Sequence, residues 1–196
     1  MSDLFKDKYR IESTRLPGWD YASSGFYFVT ICTHERAHYF GDVLIDNNGM
    51  TSVALSNIGK IARDCWLDIS NHFPNASLDE WVVMPNHVHG IIVIGDNNVN
   101  TFCRDEALPR LYKYTGPYPQ MSKISPQPQS LSVIVGSFKS ATSYKCHKQN
   151  LNFAWQSRFY DHIIRNEISL NKIRRYIRNN PQMWYRDRNN PEGLLM

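Results

Sequence analysis

A chain of 196 residues with a hydrophobic fraction of 42% has room for one domain with a substantial core, and its composition is globular, not disordered or fibrous. No apolar run approaches the ~18 residues that a membrane span needs. The N-terminal Met1-Ser-Asp-Leu-Phe-Lys-Asp-Lys lacks the apolar stretch of a secretory signal. The formal net charge is +4, unevenly spread: Lys172, Arg174, Arg175, Arg178, Arg186 and Arg188 crowd one stretch against one acid, Asp187, and Lys139, Lys145, His147 and Lys148 form a second group. Such clusters suit phosphate backbones, and they suit a solvated helix face equally well.

In chain order, Phe26 to Thr33 is rich in aromatic and β-branched residues and predicts a strand. Ser56 opens a helix in which Ile58, Ile61, Ala62, Cys65, Trp66 and Ile69 recur at helical spacing, and Pro74 marks its end. Leu78 to Met84 predicts a second strand, turned by Pro85-Asn86. His87 to Ile94 predicts a third, apolar on both faces after the histidines, as a buried central strand is. Residues 96–129 carry five prolines and no surviving period, which predicts an irregular insertion within a single domain spanning 1–196. Ser130 caps a helix with Leu131, Ile134, Val135, Phe138 and Ala141 on one side. Phe153 to Ile164 reads as a fourth strand region. Asn166 or Ser169 caps the last helix, whose stripe is Leu170, Ile173 and Ile177 and whose stop is Pro181. The order β, α, β, β, α, β, α is the split pattern of an α+β, ferredoxin-like antiparallel sheet with helices on one face and an added C-terminal helix. The four cysteines, Cys32, Cys65, Cys103 and Cys146, have no C-x-x-C spacing; without a secretory signal they read as reduced thiols of a cytoplasmic protein.

Two constellations carry chemistry. His87 and His89 are two apart on an apolar strand, so both side chains point to one face and can ligate one divalent metal; two core histidines satisfied by hydrogen bonds would look the same. The next alternate position is Ile91, which excludes a histidine-triad hydrolase. Tyr176 and Asn180 stand at i and i+4 on the last helix and share a face beside its apolar stripe. A tyrosine can act as a nucleophile and an asparagine carbonyl can ligate a hard cation, although a core-edge tyrosine and a helix-terminating asparagine are the simpler explanation of these two alone. Tyr144, also on a helix in a basic setting, has Lys148 four residues on and no amide partner.

Met84-Pro-Asn-His-Val-His-Gly-Ile-Ile-Val resembles the histidine–hydrophobe–histidine signature of the HUH single-strand nucleases. Trp155-Gln-Ser-Arg-Phe-Tyr-Asp, followed by Tyr176-Ile-Arg-Asn-Asn-Pro181, is similar to the single-tyrosine transposases of the insertion-sequence type, and most of all to the REP-associated tyrosine transposases. The resemblance runs from about Phe26 to Trp184, outside 96–129. It implies His87, His89 and Asn180 as ligands of Mg²⁺ or Mn²⁺, and Tyr176 as the nucleophile of a DNA endonuclease and strand transferase that forms a 5′-phosphotyrosine link. It implies single-stranded or hairpin DNA as the partner, with Lys139, Lys145, Arg158, Arg174 and Arg178 on the backbone. Asn180 stands where a two-tyrosine enzyme would carry its second tyrosine. The resemblance is compatible with a monomer or a homodimer, and with no membrane. The alternative is a catalytically inactive hairpin-binding protein on the same fold.

Overall fold

A computed structural model describes residues 15–95, 127–187 and 189–190. The strands are β1 (Gly25–Cys32), β2 (Gly41–Ile45), β3 (Thr51–Leu55), β4 (Ala76–Met84), β5 (His87–Ile94) and β6 (Tyr160–Ile164). The helices are α1 (Asn57–Leu67), the single turn α2 (Ile69–His72), α3 (Leu131–Lys148) and α4 (Glu167–Asn179), with a 3₁₀ helix over Pro181–Arg186. The expected insertion at 96–129 lies, apart from its last three residues, outside the described residues.

Four strands form one sheet in the order β4-β5-β1-β6, every neighbouring pair antiparallel. With α1 between β1 and β4 and α3 between β5 and β6, this is the ferredoxin-like α+β arrangement that the element order predicts. Period two divides the sheet into two faces. Tyr27, Val29 and Ile31 of β1 join Val88, Ile92 and Ile94 of β5 in the larger core, which α1 covers with Ala62, Cys65 and Trp66 and α3 with Leu131, Ile134, Val135 and Phe138. Phe26 and Phe28 join Ile91 and Val93 on the other face, under Leu170 and Ile177 of α4. Gly90 belongs to the first face for a steric reason: a Cβ there would lie 2.2 Å from the Trp66 ring, so only glycine lets the indole rest on the strand.

Caps act largely as the residues suggest. The Ser56 side chain accepts from the Gly59 N–H, and the Asn166 side chain accepts from the Ser169 N–H, which selects Asn166 between the two expected caps. Ser130 occupies the cap position of α3 without a side-chain bond.

Two local expectations change. The fourth strand is shorter than Phe153 to Ile164: Trp155 makes one isolated bridge to Thr33, and Phe153 and Trp155 turn their rings into the core against Phe40. The β2–β3 hairpin, absent from the expected order, spans Gly41–Leu55 and turns through Asn48 and Gly49, the latter at φ 75°. The last helix ends at Asn179 ahead of Pro181, as expected, and the chain continues into the 3₁₀ helix.

Helix α4 is tied to the far edge strand by charge as well as by its apolar stripe. Arg174 donates from Nε and Nη2 to both carboxylate oxygens of Asp79, and Arg178 Nε donates to Glu80 at 2.8 Å. Burial by itself would raise the pKa of Asp79, but hydrogen bonds from Arg174 and from the Glu80 N–H, with the charges of Arg174 and Arg178, hold it below the ordinary carboxylate value. The Arg174 guanidinium is correspondingly pushed up, first by its hydrogen bond to Asp79.

Candidate active site

His87 and His89 lie on β5 with their rings on the α4 face, 4.3 Å apart between centroids and fully shielded from solvent. Their neighbours determine what each ring can offer. Asn86 donates its Nδ2 to the carbonyls of Arg36 (3.0 Å) and Asn189 (2.7 Å), which leaves its Oδ1 facing His87 Nδ1 at 2.8 Å. An amide oxygen only accepts, so His87 donates from Nδ1, and Nε2 is the ring atom left for a ligand. His89 Nδ1 meets Thr30 Oγ1 at 2.9 Å, and the ring stacks on Phe28 with centroids 5.4 Å apart.

Helix α4 brings Tyr176 onto this face. Its ring meets Phe28 and His89 edge-on, its hydroxyl lies 3.1 Å from His89 Nε2, and the residue is 45% exposed. A phenol so held has one end on the histidines and one side open to an incoming molecule.

Asn180 follows at the end of the helix and is buried. Its Nδ2 donates to Asp187 Oδ2 at 2.9 Å, which turns its Oδ1 elsewhere; that oxygen is buried and has no hydrogen-bond partner among the described residues. Asp187, just beyond the 3₁₀ helix, also accepts the Asn189 N–H at 2.6 Å. His87, His89 and Asp187 each offer a ligand atom within 4.8 Å of the others, and all three are buried: this group could hold a metal ion. Two imidazoles and a carboxylate fit a divalent cation, and the buried, unpartnered Oδ1 belongs to the amide that holds the carboxylate.

These residues open onto a cleft of about 780 Å³ lined by Phe28, Thr30, His89, Tyr160, Tyr176, Asn179, Asn180, Met183 and Asp187, with Lys172, Arg175 and Arg186 on its rim. Lys172 and Arg175 give the cleft positive charge on the α4 side.

The predicted site residues fall into three places. His87, His89, Tyr176 and Asn180 converge. Arg174 and Arg178 are on the same helix but share their charge with Asp79 and Glu80. Lys139 and Lys145 are on α3, which covers the opposite face of the sheet from the histidines. There the Lys139 ammonium donates to the carbonyls of Gln156 (2.7 Å) and Arg158 (3.2 Å), and burial pushes its pKa down. Arg158 is exposed just ahead of β6, and Tyr144 stands out from α3, remote from the imidazoles. Sequence reasoning missed Asp187, Asn86 and Thr30. Asp187 left one signal, as the lone acid in a basic run.

No family model matches the chain. An uncharacterized protein of Haemophilus influenzae is 37% identical over 181 residues, covering 89% of this chain and 90% of its own length. Among solved structures, that of a REP-associated tyrosine transposase bound to a REP hairpin superposes with a TM-score of 0.51 at 18% identity, over 94% of this chain and 74% of its own. The fold is thus shared with that transposase, and the chain belongs to the family of the Haemophilus influenzae protein.

Proposed function

We propose that this protein is a metal-dependent, single-tyrosine DNA endonuclease and strand transferase of the HUH type, acting on single-stranded or hairpin-bearing DNA. The observation that carries the reading is the juxtaposition of a half-exposed tyrosine with two same-face histidines: the Tyr176 hydroxyl is 3.1 Å from His89 Nε2, at the floor of a basic-rimmed cleft. The fold shared with a transposase that was solved on a REP hairpin supports DNA as the substrate class.

His87, His89 and the buried Asn180 oxygen are the residues that would hold Mg²⁺ or Mn²⁺. A divalent cation bound there supplies polarisation of a non-bridging phosphate oxygen, which lowers the cost of charge gathering around phosphorus. The chain's own residues do the rest. Phe28 and His89 fix the Tyr176 ring, so that its oxygen meets a phosphate laid in the cleft in one orientation. The phenolic oxygen bonds to phosphorus as the bond from phosphorus to the 3′-oxygen breaks. The phenol gives up its proton and the 3′-oxygen gains one, leaving a 5′-phosphotyrosine link and a free 3′-hydroxyl. A 3′-hydroxyl attacking that link reverses the step and rejoins strands. Lys172, Arg175 and Arg186 are positioned along the cleft to follow the backbone, and Tyr160 and Met183 offer exposed surface for unpaired bases.

The test is incubation of the protein with hairpin-bearing single-stranded DNA and Mn²⁺ or Mg²⁺, read on a denaturing gel. Wild type should form a protein–DNA adduct that Tyr176→Phe abolishes and Tyr144→Phe retains. Binding without any adduct in wild type would leave a hairpin-binding protein with an inactive site.

A further inference from the structure

We infer that Asp187 is a metal ligand and that Asn180 is the residue that holds it in place, so that the centre is anionic and not built from neutral donors alone. The inference rests on the metal-dependent reading above and adds a residue to it. A carboxylate buried beside two imidazoles is costly unless something positive lies there, because removing a charge from water is repaid only by close partners. Among the described residues the donors to Asp187 are neutral: it accepts from the Asn180 amide and the Asn189 backbone N–H. Lys172, Arg175 and Arg186 line the same cleft as Asp187, but none forms an ion pair with it among the described residues, and Arg174 and Arg178 are paired with Asp79 and Glu80. The ligand atoms of Asp187, His87 and His89 lie within 4.8 Å of one another, the spacing at which one divalent cation neutralises the carboxylate and takes both ring nitrogens.

Asn180 then has two jobs that its two amide ends divide. Nδ2 must face Asp187, since a carboxylate can only accept, and this leaves Oδ1 as a buried oxygen with no hydrogen-bond partner among the described residues. The 3₁₀ helix over Pro181–Arg186 is what returns Asp187 to Asn180 seven positions later. Nucleophile, amide and carboxylate therefore sit on one continuous stretch, Tyr176 to Asp187, facing the histidines of β5.

The experiment is Mn²⁺ affinity of the full chain without DNA, measured by the loss of free-Mn²⁺ EPR signal, together with thermal unfolding. Asp187→Asn keeps shape and loses charge; it should weaken Mn²⁺ binding by more than roughly 100-fold, as a lost ligand does, and Asn180→Ala by roughly 10- to 100-fold, in the range of a lost supporting group. Wild-type affinity in Asp187→Asn, or no Mn²⁺ binding by wild type, overturns the inference. A second variant guards against misfolding of the first. Asn180→Asp sets two carboxylates side by side, so without metal its Tm should fall, and saturating Mn²⁺ should restore it; a metal-free Tm equal to wild type overturns the assignment of Asn180. The adduct assay separates the two readings. Asp187-dependent Mn²⁺ binding with no adduct keeps the centre and removes the nuclease, and an adduct formed at full rate by Asp187→Asn does the reverse.

Discussion

The two faces of the central sheet are made by the same strands and could hardly differ more. Toward α1 and α3, β1 and β5 present Tyr27, Val29, Ile31, Val88 and Ile92, an apolar layer closed by Trp66 and Phe138 with ring centroids 5.2 Å apart. Toward α4, one residue along, they present Thr30, His87 and His89 beside a smaller apolar cluster. A period of two lets one strand serve both purposes: a buried strand anchors a rigid layer on one side and, from that layer, aims polar groups on the other. Stability and chemistry should therefore separate by face, and each prediction tests that separation.

The largest effect is expected from Tyr176→Phe, which should lower adduct formation by at least roughly 10³-fold, the scale on which nucleophile removal acts. Tm should move little, because the hydroxyl stands at the cleft. Loss of both activity and folding would show that the chemical face is also structural. On the other face, Trp66→Ala should cost about 3–5 kcal/mol in denaturant unfolding, from lost burial plus the cavity left against Gly90 and Phe138. A variant that unfolds at wild-type denaturant concentration would mean that the indole does not hold this layer together.

A smaller effect should come from the joint between the faces. A double-mutant cycle of Asp79→Ala and Arg174→Ala should give a coupling of about 1 kcal/mol, as expected of a forked pair that is only partly buried. Its pH dependence has a definite sign. The folded pKa of Asp79 is depressed, so the coupling is fully present above the unfolded carboxylate value of ~3.9 and disappears as pH falls through the lower folded value. Coupling that instead grows on acidification would contradict the pairing. The smallest effects concern DNA. Lys172→Ala or Arg175→Ala should each weaken binding and reduce the slope of log affinity against log salt by about 1 if each contacts one phosphate. Lys145→Ala, on the opposite face, should change neither; equal losses from both sets would mean that DNA wraps the molecule and does not follow the cleft.

The comparison also explains which features were legible in the residues. The ferredoxin-like order followed from periodicity and punctuation, because strand and helix periods are backbone properties that show in any window of the chain. The hairpin signal, Asp46-Asn-Asn-Gly49 between Val43-Leu-Ile and Thr51-Ser-Val, is present in the sequence, although the expected order lacks the hairpin. For the site, His87 with His89 and Tyr176 with Asn180 are within one turn or one pleat of each other, so local geometry alone places each pair on one face. That these two pairs meet is a statement about α4 packing on β5.

Residues separated by longer stretches of chain needed the tertiary structure. Arg174 and Arg178 look like phosphate contacts in a basic run, yet their carboxylate partners, Asp79 and Glu80, are more than ninety residues away and adjacent only because α4 crosses to β4. Lys139 and Lys145 look equivalent to them by charge, but the handedness of the crossover puts α3 on the opposite face. Asp187 reaches the histidines through a 3₁₀ turn that no periodicity announces. Local pattern determined which side chains share a face; the packing of helices on a twisted sheet decided which faces meet, because contact between distant segments is set by burial of the whole and not by the spacing of any part.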